Sequence, residues 1–381
     1  MSELKCLEAM VGVQHTPAYV LDEEKLISNL EILKYVQEQS GCKILLAQKA
    51  FSMFRVYPLI AQYLAGTTAS GLYEARLGRE EFPGEVHVFS PAYKYEDICE
   101  IVDTADHIVF NSLRQLENFG HICREAGKSI GLRINPECST QETAIYDPCA
   151  PGSRLGVTID KLSEFPDIDG LHFHTLCEQG ADALEITLRA VEEKFGKYLS
   201  KCKWVNFGGG HHITRKDYDI DLLIKLIKNF KKKYHVDVYL EPGEAIALNA
   251  GYLITEIMDI VENHDVKTLI LDASAACHMP DVLEMPYRPP LFESGQPGEK
   301  QYDYRLSSCT CLAGDIIGDY SFDDEKHIGD RLCFEDMMIY SMVKNNTFNG
   351  MPLPDIGIQH TDGHYEIIKK FDYADFKERL S

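Results

Sequence analysis

The stretch "KILLAQKAFS", residues 43–52, sets the apolar run Ile44-Leu45-Leu46-Ala47 just ahead of a lysine, Lys49. A short continuous apolar run bounded by polar residues reads as a strand buried on both faces, as in a parallel sheet covered by helices. Lys49 follows the end of that strand. Burying an ammonium without a partner is costly, so Lys49 taken alone would snorkel to water. What it does beyond that depends on what stands at the ends of the other strands.

Similar short runs recur: "TTA" (67–69), "VHVF" (86–89), "HIVF" (107–110), "IGLRI" (130–134), "GLHFH" (170–174), "WVNF" (204–207) and "VDVYL" (236–240). Helical periodicity lies between them. Leu184, Leu188, Val191, Phe195 and Leu199 share one face, as do Leu223, Ile227, Phe230 and Tyr234. A helix with Leu26, Leu30 and Leu33 on one side precedes the first run and opens after Asp22, a suitable N-cap. Eight strands alternating with helices predict a closed (β/α)8 TIM-type barrel of the α/β class. No G-x-G-x-x-G turn follows the first strand, which argues against an open doubly wound sheet. Beyond residue 250 the texture changes. "YLITEIMDIV" (252–261), "TLILDA" (268–273), "DRLCF" (near 329–334) and "MMIYSMVK" (337–344) read as strands, and "MPYRPPLFESGQPGEKQ" (285–301) as a long polar loop. The expected organisation is a barrel over 22–250 and a C-terminal β-domain, 251–381, completed by residues 1–21 with the N-terminal strand "PAYVLD" (17–22).

With 60 acidic against 38 basic residues, the net charge is −22. That excludes nucleic acid as the main partner, since phosphate neutralisation needs a basic patch; an acidic field instead suits a cationic substrate. No stretch nears the about 18 apolar residues of a membrane span. The opening "MSELKCLEAMVG" lacks a signal-peptide layout, and twelve cysteines fall without a C-x-x-C pair. A cytoplasmic protein with reduced thiols, bound neither to nucleic acid nor to a membrane, is expected.

On such a barrel, active-site groups stand at the C-terminal strand ends. Lys49 follows the first strand, His172 and His174 end the sixth, Gly208-Gly209-Gly210 with His211 and His212 follow the seventh, and Glu241-Pro242-Gly243-Glu244 follows the eighth. Each has a plain structural explanation: a tight turn for the glycines, a satisfied core histidine, a capping glutamate. Their combination at one rim points to pyridoxal 5'-phosphate. Lys49 would hold its aldehyde as an amine of lowered pKa, the glycines would cradle its phosphate, Glu241 would keep its pyridine nitrogen protonated, and His174 would stack on its ring. The competing reading takes His172-x-His174 as metal ligands on one side of a strand. In metal-dependent amidohydrolases, however, that pair ends the first strand, so no metal is expected here.

These residues resemble the barrel-fold, alanine-racemase-like pyridoxal-phosphate decarboxylases that act on ornithine, arginine and diaminopimelate. The likeness runs through "LLAQKAFS", "GLHFHTL", "NFGGG" and "EPGE", then "CTCLAGD" (309–315) and "MMIYSM" (337–342). The resemblance implies that Cys311 reprotonates the α-carbon in the partner subunit's site, that Gly243 and Tyr340 lie against the cofactor, and that Asp315 lies at the substrate. It also implies a homodimer with shared sites.

Departures from the family pattern narrow the substrate. Glu244 replaces the arginine that follows E-P-G in diaminopimelate and ornithine decarboxylases, and Leu312 replaces the acid after the cysteine. "CHMPDVLEMPYRP" (277–289) and "NNTFNG" (345–350) resemble the branch that decarboxylates carboxynorspermidine and carboxyspermidine. Glu244 and Asp281 are then expected to bind the ammonium groups of a small cationic polyamine precursor. The alternatives are a diaminopimelate or ornithine decarboxylase and a non-catalytic cofactor-binding homologue. No role is assigned to His211 or His212.

Overall fold

Eight parallel strands close on themselves in the computed structural model, which describes residues 2–141 and 143–381. The chain divides into two units, Asn29–Ile246 and Met1–Ser28 with Ala247–Ser381. The first strand of the chain, β1 (Ala18–Asp22), belongs to the second of these. The barrel is built from β2 (Lys43–Ala47), β3 (Gly66–Ala69), β4 (Glu85–Phe89), β5 (His107–Phe110), β6 (Ser129–Arg133), β7 (Gly170–His172), β8 (Trp204–Asn206) and β9 (Asp237–Leu240). β9 pairs back onto β2, with Lys43 opposite Tyr239, and so closes the ring. These are the eight runs read from the sequence.

The barrel interior is filled rather than open. Leu45, Val109, Trp204 and Tyr239 form a buried cluster with Phe89 against it. Trp204 has room only because Gly170 faces it: a Cβ there would lie 2.2 Å from the indole ring. Outside, Leu184, Leu188, Val191, Phe195 and Leu199 are all buried on the helix Ala181–Leu199, as are Leu223, Ile227, Phe230 and Tyr234 on Ile220–Tyr234. Asp219 caps the latter, accepting from the Leu222 N–H at 2.8 Å. Asp22 does the same for Glu23–Ser40 through the Lys25 N–H, at 3.1 Å.

The second unit is a sheet built from β1 with β10 (Gly251–Asn263), β11 (Val266–Leu271), β12 (Tyr302–Ser308), β13 (Ile316–Phe322), β14 (Arg331–Glu335), β15 (Asp355–Gln359) and β16 (Tyr365–Lys369). β1 lies between β10, antiparallel, and β15, parallel, so the N-terminal strand does complete the β-unit. A helix not read from the sequence, Ser2–Gly12, packs Cys6 and Ala9 onto Val20, Tyr252, Ile254 and Cys333. One expectation is corrected. "MMIYSMVK" is not a strand but a turn leading into a one-turn helix, Ser341–Lys344. Met337, Met338 and Ile339 are apolar because they are buried, not because they alternate in a sheet.

Candidate active site

Lys49 lies in the turn just past β2. The residue as a whole is exposed, but its amine is surrounded by protein, and this burial lowers its pKa, with the nearby Arg133 charge adding to the effect and Glu241 opposing it. A lowered pKa moves the lysine toward the neutral form that a nucleophilic amine needs.

Across the rim, the buried Glu241 carboxylate has two donors. Asn206 donates its Nδ2–H to Oε1 at 2.8 Å, and the His172 ring contributes Nε2 at 3.1 Å from Oε2. A carboxylate only accepts, so Nε2 carries the proton and Nδ1 is left as an acceptor. Burial alone would raise the Glu241 pKa, but the His172 and Asn206 contacts outweigh it and hold the group down at about 2. Burial lowers the His172 pKa, so the pair is best described as a carboxylate beside a neutral imidazole.

The glycine loop is tied to this pair. Asn206 Oδ1 accepts from the Gly208 N–H at 2.8 Å, and His174 Nδ1 accepts from the Gly209 N–H at 2.9 Å. Gly208 and Gly210 have φ of +71° and +80°, the left-handed region where glycine is favoured. A Cβ at Gly209 would lie 2.5 Å from the Glu241 carbonyl oxygen and 3.1 Å from His174 Cε1. Gly243 packs on Ala47 and Ala50, which flank the Lys49 turn. The His172-x-His174 pair is thus engaged with Glu241 and the glycine loop. His174 is held neutral, chiefly by burial and then by the Lys49 charge.

Two contributors were not singled out in the sequence. Arg133 ends β6, donates to the His174 carbonyl oxygen at 3.2 Å, and lies 4.6 Å over the Phe89 ring. Asn206 joins the glycine loop to Glu241. Both stand at strand ends, the same signal that marked Lys49. Glu244 opens the turn Glu244–Ala247, with Oε1 3.8 Å from His212 Nε2. His211 and His212 are both buried.

Cys311, Asp315, Tyr340 and Asp281 belong to the β-unit. Cys311 is an exposed free thiol, its N–H donating to Asn349 Oδ1 at 3.3 Å. Asp315 is buried. It accepts from the hydroxyls of Ser274 and Ser308 at 2.6 Å and Thr310 at 2.5 Å, and with Ser308 and Thr310 before Cys311 and Asp315 after it these bonds close the Cys311 loop. Burial would raise its pKa, but these donors lower it. Tyr340 sits at φ 53°, ψ −51°, with the Ser341 N–H donating to the Ile339 carbonyl, a rare and strained γ-turn. Asp281 accepts from Lys344 Nζ at 2.6 Å, so an ammonium already occupies the acid expected to bind one.

The sequence matches the family model described as "Pyridoxal-dependent decarboxylase, C-terminal sheet domain" over residues 18–338. It is 44% identical, over 96% of this chain and 98% of the relative, to a carboxynorspermidine/carboxyspermidine decarboxylase of Campylobacter jejuni. It is also 44% identical, over 96% of this chain and 95% of the relative, to a carboxyaminopropylagmatine decarboxylase of Synechocystis. A crystal structure of carboxynorspermidine decarboxylase complexed with norspermidine, from C. jejuni, superposes with a TM-score of 0.90 at 43% identity, covering 96% of this chain and all of that one.

Proposed function

The chain belongs to the pyridoxal-dependent decarboxylases, which are carboxy-lyases, and we propose that it converts carboxynorspermidine or carboxyspermidine to norspermidine or spermidine. The observation that carries this reading is the full-length likeness, at 43% identity, to a structure complexed with norspermidine. The Synechocystis relative favours a second substrate of the same class, a carboxylated amine ending in agmatine's guanidinium. Either is a cation, as the net charge of −22 favours.

The residues fit pyridoxal phosphate: the glycine loop leaves no room for Cβ atoms, Glu241 remains a carboxylate, and Lys49 has a lowered pKa. Lys49 would hold the aldehyde, Gly208–Gly210 and Gly243 the phosphate side, Glu241 the pyridine nitrogen, and His174 and Tyr340 the ring. Bound there, the pyridoxal ring supplies an electron sink for the pair left when CO2 departs. Arg133 and Asn206 keep His174 and Glu241 oriented, so their geometry is in place before substrate binds. In a homodimer, the partner's Cys311 would deliver its thiol proton to the α-carbon. Asp315 would act by fixing the Cys311 loop. Glu244 would take an ammonium of the substrate, and Asp281 another by exchange with Lys344.

Release of CO2 by protein reconstituted with pyridoxal phosphate tests the reading. Carboxynorspermidine, carboxyspermidine, carboxyaminopropylagmatine, diaminopimelate and ornithine are compared at equal concentration. Preference for the first two is expected. Preference for the third changes the substrate's far end, and preference for the last two overturns the specificity argument. No release with cofactor bound would make the protein a non-catalytic homologue.

A further inference from the structure

At the end of the barrel opposite Lys49, two adjacent strands open with metal-ligating side chains: Glu85 and His87 on β4 and His107 on β5. His87 and His107 are register partners, and their rings stack with centroids 4.0 Å apart. Glu85 Oε2 lies 3.1 Å from His87 Nε2, and one donor atom from each of the three lies within 4.8 Å of the other two. None of the three stands at the Lys49 rim.

A second observation points to an absent ligand. The Nδ1 atoms of both His87 and His107 are buried without a hydrogen-bond partner, and His87 is only 1% exposed. Buried imidazole nitrogens normally have partners; Glu85 faces His87 through Nε2, so that nitrogen and the carboxylate are the pair an ion would bridge, with His107 Nδ1 the unpartnered nitrogen left to join them.

We propose that Glu85, His87 and His107 form a site for a divalent transition-metal ion, zinc foremost, in the N-terminal mouth of the barrel. Two imidazoles and a carboxylate suit zinc, with the fourth position open to water at the mouth. Glu85 and His107 are half-buried, which gives the ion an entry path. Lys43 is the resident competitor: its ammonium is paired with Glu85 and lies 3.2 Å from the Tyr239 hydroxyl. Its side chain is 44% exposed on a flexible stem, so it swings to solvent as the ion enters. The rings are only 8° from parallel and imidazole lone pairs lie in the ring plane, so His107, the first residue of its strand, turns to share the ion. The bound ion ties β4 to β5 at the barrel floor and stabilises the fold by mass action.

The test is zinc titration of chelator-stripped, pyridoxal-phosphate-loaded protein by calorimetry, with zinc-edge absorption spectroscopy of the complex. One equivalent per chain is expected, with nitrogen and oxygen ligands and a raised Tm. Lys43→Gln should bind about tenfold more tightly and His107→Ala at least about tenfold more weakly, with kcat unchanged in both. Sulfur ligation would assign the zinc to the cysteines. That result, equal affinity in wild type and His107→Ala, or no binding at all would each overturn the site.

Discussion

The His172 ring lies 3.1 Å from Glu241 Oε2, and the two are 69 residues apart in the chain. This contact and the one from Asn206 oppose burial and hold Glu241 as a carboxylate. Replacing His172 by Leu removes a hydrogen bond to a charged group, worth about 1.5–3 kcal/mol. If that loss reaches the transition state, kcat falls roughly 10- to 100-fold. His172→Gln, which can still donate, should recover part of it. The measurement is kcat against pH for both variants. A merely structural role would leave the acid limb of the Leu variant's profile unmoved, whereas a positioning role shifts it upward.

Buried neutral histidines make the protein acid-labile. Burial brings His211, His212 and His278 down to about 4 from an ordinary 6.5. Between those values the unfolded chain binds more protons than the folded one, so stability falls as pH falls. The gap is worth roughly 3 kcal/mol for His211 alone. Urea unfolding should therefore show a midpoint that drops steadily from pH 6.5 to pH 4, with a flatter dependence in His211→Phe. An unchanged slope in that variant would mean His211 does not titrate with unfolding.

The barrel was legible because its strands are buried on both faces and read as unbroken apolar runs, while helices with one buried stripe carry a clear period. Lys49, Glu241 and the glycines were legible because polar residues and glycines ending such strands stand out. Arg133 carries the same signal but sits inside "IGLRI", where it passes for a strand residue. The partners of the β-unit acids could not be read, since loops remote in sequence bring them together. Ser274 reaches Asp315 across 41 positions and Lys344 reaches Asp281 across 63. The misread segment at 337–344 has the apolar content of a strand, but Tyr340 has a backbone conformation no strand contains.

Gly170→Ala tests the packing that fills the barrel. The added methyl would meet the Trp204 indole at 2.2 Å. Gly131 restricts the same ring from a neighbouring strand, where a Cβ would lie 2.4 Å from Trp204 Cη2. Overpacking of this kind costs about 1–3 kcal/mol. A reduced urea midpoint with unchanged m-value is the expected result.

Cys311→Ala separates proton delivery from cofactor binding. Loss of a general acid lowers turnover by roughly 10²- to 10⁴-fold. The visible absorbance of the loaded protein should survive, since Lys49 and the glycine loop are untouched. Lys49→Ala should lose both. Unchanged turnover in Cys311→Ala would remove the thiol from the mechanism.

Glu244 carries the specificity argument. It lies at the strand-eight rim with Oε1 3.8 Å from His212 Nε2, and burial keeps that histidine largely neutral at pH 7. If Glu244 receives a substrate ammonium, Glu244→Gln weakens a charge-assisted hydrogen bond and should raise KM for the carboxylated polyamines roughly tenfold. Glu244→Arg adds repulsion and should raise it further, with a smaller effect on kcat because the reacting carbon is remote from the contact. The same variants should change KM for diaminopimelate in the opposite sense, since that substrate carries a distal carboxylate. Equal KM values for wild type and both variants would place the ammonium elsewhere and leave Asp281, exchanging its Lys344 partner, as the acid to test.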